Sequence, residues 1–194
     1  MIWTTWALAC EALAPARLEA RLTEAGAQLQ EQKLDTFQSV VQSLEADLPC
    51  LAAPATAEQI QRYRVYLGID RYMRDERDAA AAEFLAARSI ASGISLPVYP
   101  EGHDIFTVFT QLDPVRARRV RLFPPRRGDL LLDGVPTRDR VIDAPVLVTV
   151  QRDDGEVAVQ SLGAGAIPDY RIRQPQRVPL IAATSVLAVT SAIL

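Results

Sequence analysis

Apolar residues follow two different rhythms along this chain. In the first half they recur at three- and four-residue steps. Leu18, Leu22, Ala25 and Leu29 do so behind Pro15, a residue suited to a helix start. Leu34, Phe37, Val40, Val41, Leu44 and Leu48 predict a second helix, ended by Pro49. After a linker at 52–57, Thr56 and Gln59 form a capping pattern that opens a third helix through Ile60, Tyr63, Leu67 and Tyr72. A fourth is expected from an Asp75 N-cap, with Ala79, Ala80, Phe84, Ala87 and Ile90 on its apolar face and Gly93 as its stop.

Past a linker at 94–104 the rhythm changes to short blocks and alternation. Residues 105–110, 119–123, 129–133, 146–151 and 156–160 read as strands. Asp153-Asp154-Gly155 between the last two is the strongest hairpin signal in the chain. The expected fold class is α+β. Helical hairpins occupy 1–93, a small antiparallel β-sandwich module 105–162, and a flexible tether 163–177.

The tether leads to an uncharged apolar run, 178–194, behind Arg171, Arg173 and Arg177. At a rise of about 1.5 Å per residue a helix there spans roughly 25 Å, a little short of a bilayer core. It is expected to be a transmembrane anchor. Its alternative is a buried terminal strand or helix. The apolar start, ending in Ala7-Leu8-Ala9, has two readings: the stub of an export signal, or a first helical turn packing Trp3 and Trp6.

The third and fourth helices carry Leu67-Gly68, Ala80, Phe84 and Ala87 at the offsets of one tetratricopeptide repeat, and resemble that family. Arg71 stands where the family has an aromatic, with Tyr72 one place late, and Asp75 replaces the turn glycine. The β half carries Pro125, Gly128, Leu130-Leu131-Leu132, Asp133-Gly134, and Pro145 before a valine-rich strand. There it resembles the PEGA domains of bacterial envelope proteins. Together the resemblances imply a non-catalytic scaffold or assembly protein that binds other envelope proteins. Tyr63, Tyr66, Arg71 and Tyr72 are the candidate groove residues. Self-association is also expected, because an open β edge and an unfinished repeat stack both invite a partner.

Charge and composition narrow the picture. The formal net charge is −3, and no aromatic platform accompanies the arginines, so a nucleic-acid partner is not expected. Lys33 is the only lysine and asparagine is absent, the signature of a GC-rich bacterial coding sequence. Arg116, Arg118, Arg119, Arg121, Arg126 and Arg127 form a dense basic segment. Arg119 and Arg121 share one strand face. With Arg126 and Arg127 they are the candidate contacts for cell wall or anionic lipid. The bland alternative is the solvated outer face of a half-buried sheet.

Chemistry is sparse. His103, the only histidine, would have to anchor any hydrolase, with Asp104 beside it and Ser92 and Ser95 as the nearest hydroxyls. Asp153, Asp154 and Glu156 lack the frame of a calcium loop. No metal or cofactor is expected. Cys10 and Cys50 either pair in an oxidising compartment or sit apart as small buried residues. The arginines beside the apolar run favour a cytoplasmic, tail-anchored arrangement. The signal stub, a disulfide and the PEGA resemblance favour the periplasm, which is the expected location.

Overall fold

The computed structural model describes residues 11–91 and 93–168. The apolar start, Cys10, most of the tether and the run 178–194 lie outside the described residues, as do the expectations placed on them. Within them the chain is α+β. Its helices are α1 (Pro15–Gln30), α2 (Leu34–Asp47), α3 (Ala57–Met73), α4 (Arg77–Ile90) and α5 (Asp104–Gln111). Its strands are β1 (Arg119–Arg121), β2 (Asp129–Leu132), β3 (Asp139–Val141), β4 (Val146–Gln151) and β5 (Val157–Leu162). Among the described residues no helix is long and apolar enough to cross a membrane.

The predicted stripes explain the first two helices. Leu18, Leu22, Ala25 and Leu29 of α1 meet Phe37, Val41 and Leu44 of α2, all buried. Leu34, the first residue of α2, stays 42 % exposed. Thr56 and Gln59 complete a reciprocal capping box at the start of α3. That helix is buried without a break from Tyr63 to Asp70, the condition of a helix covered on all sides. It packs on α1 and α2 and forms a close hairpin with α4.

The hairpin is close because Gly68 has no side chain. A Cβ there would lie 2.4 Å from the ring of Phe84, which fills the space between the two helices. Ala80 and Ala87 flank Phe84 and are fully buried. Asp75 is not the N-cap. It takes a left-handed φ of 61° in the turn, where its short polar side chain tolerates what a branched one would not. The cap position belongs to Glu76, without a side-chain cap bond. Ala79 faces solvent, and α4 ends at Ile90, before Gly93.

Residues 105–110 form α5, not the expected strand. Ile105 and Phe109, one turn apart, are both buried, and Phe109 packs edge-to-face on Phe84 at 5.4 Å. The β-branched and aromatic content suggested a strand, but tertiary burial at helical spacing overrides that weak preference. The β part therefore starts at β1. The segment before α5 is no free linker either. Leu96 is buried, and Ile94 and Tyr99 pack on the helical core.

The strands form two antiparallel sheets, β1-β3 and β2-β4-β5. β4 pairs with β5 across the predicted Asp-Asp-Gly turn, Val150 opposite Ala158. Central strand β4 is covered on both faces, hence its unbroken apolar run. Val146, Val148 and Val150 join Leu122, Leu130, Leu132 and Leu162 in a core between the sheets. Leu147, on the opposite face, joins the helical core. Strand β3 was not foreseen, because charged Arg140 sits at its centre.

Candidate functional site

Two groups of arginines organise the molecule, one buried and one on the surface. The buried group begins with Arg64 on α3, 2 % exposed. Its Nη1 donates to Glu83 Oε2 of α4 at 2.8 Å, and its Nη2 to Asp133 Oδ1 at 3.1 Å. Asp133 sits just after β2 with a φ of 48°. Its Oδ1 also accepts from the Leu147 backbone N–H at 2.9 Å, while its own N–H donates to Leu147 O at 2.8 Å. The next residue, Gly134, presses against the start of α3. A Cβ there would lie 2.6 Å from Ala57 N.

These contacts weld the strands to the helical hairpin. Burial by itself pulls the Arg64 pKa down, and the Asp133 and Glu83 carboxylates more than reverse it, so the guanidinium stays charged. The group holds no nucleophile, and its arginine is closed to solvent. Its chemistry is that of a joint. Arg140 on β3, 1 % exposed, plays a related part, donating from Nη2 to Gly163 O at 2.7 Å beyond the end of β5.

The surface group follows from the alternation of β1. Val120 turns toward the inter-sheet core, and Arg119 and Arg121 face out. Arg118 pairs with Asp143 at 3.0 Å, and Arg116 with Asp113 at 3.2 Å. Arg119 donates from Nη2 to Pro114 O at 3.3 Å. Arg121, Arg126, Arg127 and Arg138 are exposed and have no ion pair among the described residues. Arg121 and Arg138 line an open cleft of about 630 Å³, with Pro124, Pro125, Asp129 and Asp139 among its other walls. Beside it Phe123 is 86 % exposed, held by the rigid Pro124-Pro125 pair.

The other sequence candidates fall in different places. Tyr63 and Tyr66 are buried in the helical core. Tyr66 packs edge-on to Phe37 at 6.0 Å, and burial pushes both phenols above their ordinary pKa. Their helical spacing was shared by core and groove alike, and α3 is enclosed. Arg71 is half-buried between Glu45 at 2.7 Å and Glu76 at 3.0 Å. Tyr72 lies under the Arg77 guanidinium, 3.8 Å from its ring centroid. Near them Asp70 is wholly buried, with Oδ2 on Arg74 at 2.8 Å and Oδ1 without a hydrogen-bond partner among the described residues.

His103 is exposed. Its Nδ1 accepts from the Ile105 N–H at 3.3 Å and so caps α5, and its ring rests against Tyr99. Among the described residues no carboxylate or hydroxyl hydrogen-bonds it. Asp154 Oδ1 accepts from the Glu156 N–H at 3.0 Å, and Glu156 pairs with Arg152, so these acids close a hairpin tip. Among the described residues no cluster of His, Cys, Asp or Glu could hold a metal ion. Cys50 is disulfide-bonded. Beside it Leu13 donates to Cys50 O at 2.8 Å and bridges Leu51, bringing the start of the chain to the end of α2.

Sequence reasoning missed Arg64, Glu83, Asp133, Phe123 and Arg138. A charged residue inside an apolar helical stretch was the one available sign of Arg64. Nothing in the spacing could pair it with an aspartate 69 positions away. The alternation over 119–123 predicts a strand that reaches Phe123, whereas β1 stops at Arg121. No protein family, curated protein or solved structure matches the chain.

Proposed function

We propose that this chain is a non-catalytic binding module of the bacterial cell envelope. The helical hairpins are its rigid support, and the arginine face of the β part is its contact surface for an anionic partner. One observation carries the reading. Arg121, Arg126, Arg127 and Arg138 stand exposed and without ion pairs among the described residues, on a chain whose net charge is −3. Elsewhere on the same molecule arginines are matched to carboxylates, as Arg21 is to Asp47, Arg62 to Glu19 and Arg71 to Glu45. A local cationic surplus against an acidic background favours anionic partners through charge complementarity.

This reading moves the contact surface from the α3 tyrosines to the β part. The tetratricopeptide-like character of α3 and α4 is supported by the Gly68–Phe84 approach, and the PEGA-like character of the β part by two small antiparallel sheets that contribute to one apolar cluster. Attachment through 178–194, and a periplasmic rather than tail-anchored cytoplasmic position, belong to the same proposal and rest on sequence alone.

Retention on phosphocellulose tests it. The full chain should bind at low ionic strength and elute as salt screens the contacts. The double variant Arg126→Ala/Arg127→Ala should elute at clearly lower salt. Identical elution of the two proteins would reject the reading.

A further inference from the structure

The two most exposed large apolar side chains among the described residues are Phe123, at 86 %, and Val115, at 85 %. Both lie in the arginine segment, one at each end of β1. Arg119 ties the Val115 end to the strand through Pro114 O, and Pro124-Pro125 stiffens the Phe123 end. An aromatic and an aliphatic side chain set fully into water, among outward arginines, suit a boundary with charge at its rim and hydrocarbon just beneath.

From this arrangement we infer that the anionic partner is a phospholipid bilayer surface, and that Phe123 is the residue that enters it. The inference rests on the anionic-partner reading above. An acidic protein or a soluble polyanion would satisfy the arginines and leave Phe123 in water. A bilayer satisfies both: headgroup phosphates take Arg121, Arg126 and Arg127, and the ring passes below them to the acyl boundary. Val115 is the weaker second contact, being smaller and followed by Arg116, which is already paired with Asp113.

Tryptophan fluorescence reads the depth of position 123 directly. In the full chain, Trp3→Phe and Trp6→Phe remove the native tryptophans, and Phe123→Trp places a single probe. The protein is added to phosphatidylcholine vesicles containing phosphatidylglycerol and brominated acyl chains. The emission should shift to the blue and be quenched. Neither effect should occur on pure phosphatidylcholine, or after Arg126→Ala/Arg127→Ala. In the native-tryptophan background, Phe123→Ser should leave elution from phosphocellulose unchanged, because it removes no charge. An emission that stays water-like on anionic vesicles, while phosphocellulose retention persists, overturns the bilayer and leaves a soluble anionic partner. Equal quenching with and without anionic lipid overturns the charge-directed docking. Loss of retention as well overturns the anionic-partner reading itself.

Discussion

Arg64 and Arg126 are the same residue in opposite conditions. Arg64 is enclosed by α3, α4 and the Asp133 turn, and both of its terminal nitrogens meet carboxylates. Arg126 stands in water on a loop, with no ion pair among the described residues. Burial makes a charge expensive unless it is matched, so the enclosed arginine is committed to the fold. Solvation leaves the exposed one nearly neutral for stability and free to meet a partner. The contrast separates a part of the molecule that holds itself together from a part that is open to something else.

The sharpest way to break that contrast is at the joint. Arg64→Ala leaves Glu83 and Asp133 buried without their cation and should cost about 3–5 kcal/mol in urea unfolding at pH 7. A loss under about 1 kcal/mol would mean that the joint is wetter than its geometry.

Gly68→Ala comes next. It drives a methyl into Phe84 and should cost about 1–3 kcal/mol. Combining it with Phe84→Leu should give less than the sum of the two single losses, because both changes act on one contact. Strict additivity would argue against the close approach.

Asp70 offers a smaller, pH-dependent effect. Burial pushes its carboxyl above the usual range, against the pull of Arg74. A carboxyl with a raised folded pKa binds its proton more tightly folded than unfolded. Its ionised form is therefore a liability above that pKa, relieved as pH falls through it toward the ordinary carboxylate value. Asp70→Asn should match or exceed the parent in denaturation midpoint at pH 7, with the difference shrinking in acid. A variant weaker at pH 7 would show that the Arg74 pair outweighs burial.

Smallest of all, Arg126→Ala/Arg127→Ala should leave the midpoint within about 0.5 kcal/mol, even as it lowers the salt needed to elute the protein. A large stability loss there would erase the distinction between the two arginine groups.

How far the sequence revealed this design depends on range. Leu18, Leu22, Ala25 and Leu29 signalled α1 because a helix buries one stripe at fixed spacing, and the Thr56–Gln59 cap is a contact between near neighbours. The β4–β5 hairpin was legible from its Asp-Gly turn and flanking valines for the same local reason. Ile105 to Thr110 misled because strand preference and helical burial spacing coincide over so short a stretch, and packing on Phe84 decided between them. The arginine segment was legible as a patch. Its members' fates were not, since Arg118 found Asp143 while Arg121 found no ion pair among the described residues.

The amino-acid order alone determined what depends on neighbours along the chain: the helical stripes, the caps, the hairpin turn, the small residue at 68 and the crowding of arginines after residue 115. Tertiary structure decided what depends on the third dimension. It enclosed α3, turning two tyrosines into core and one arginine into a joint, and it left Phe123 in water in a segment whose Arg121, Arg126 and Arg127 have no ion pair among the described residues. The physical reason is that periodicity fixes which side of an element is apolar. Whether the other side meets water, a carboxylate or another sheet is set only when distant segments pack against it.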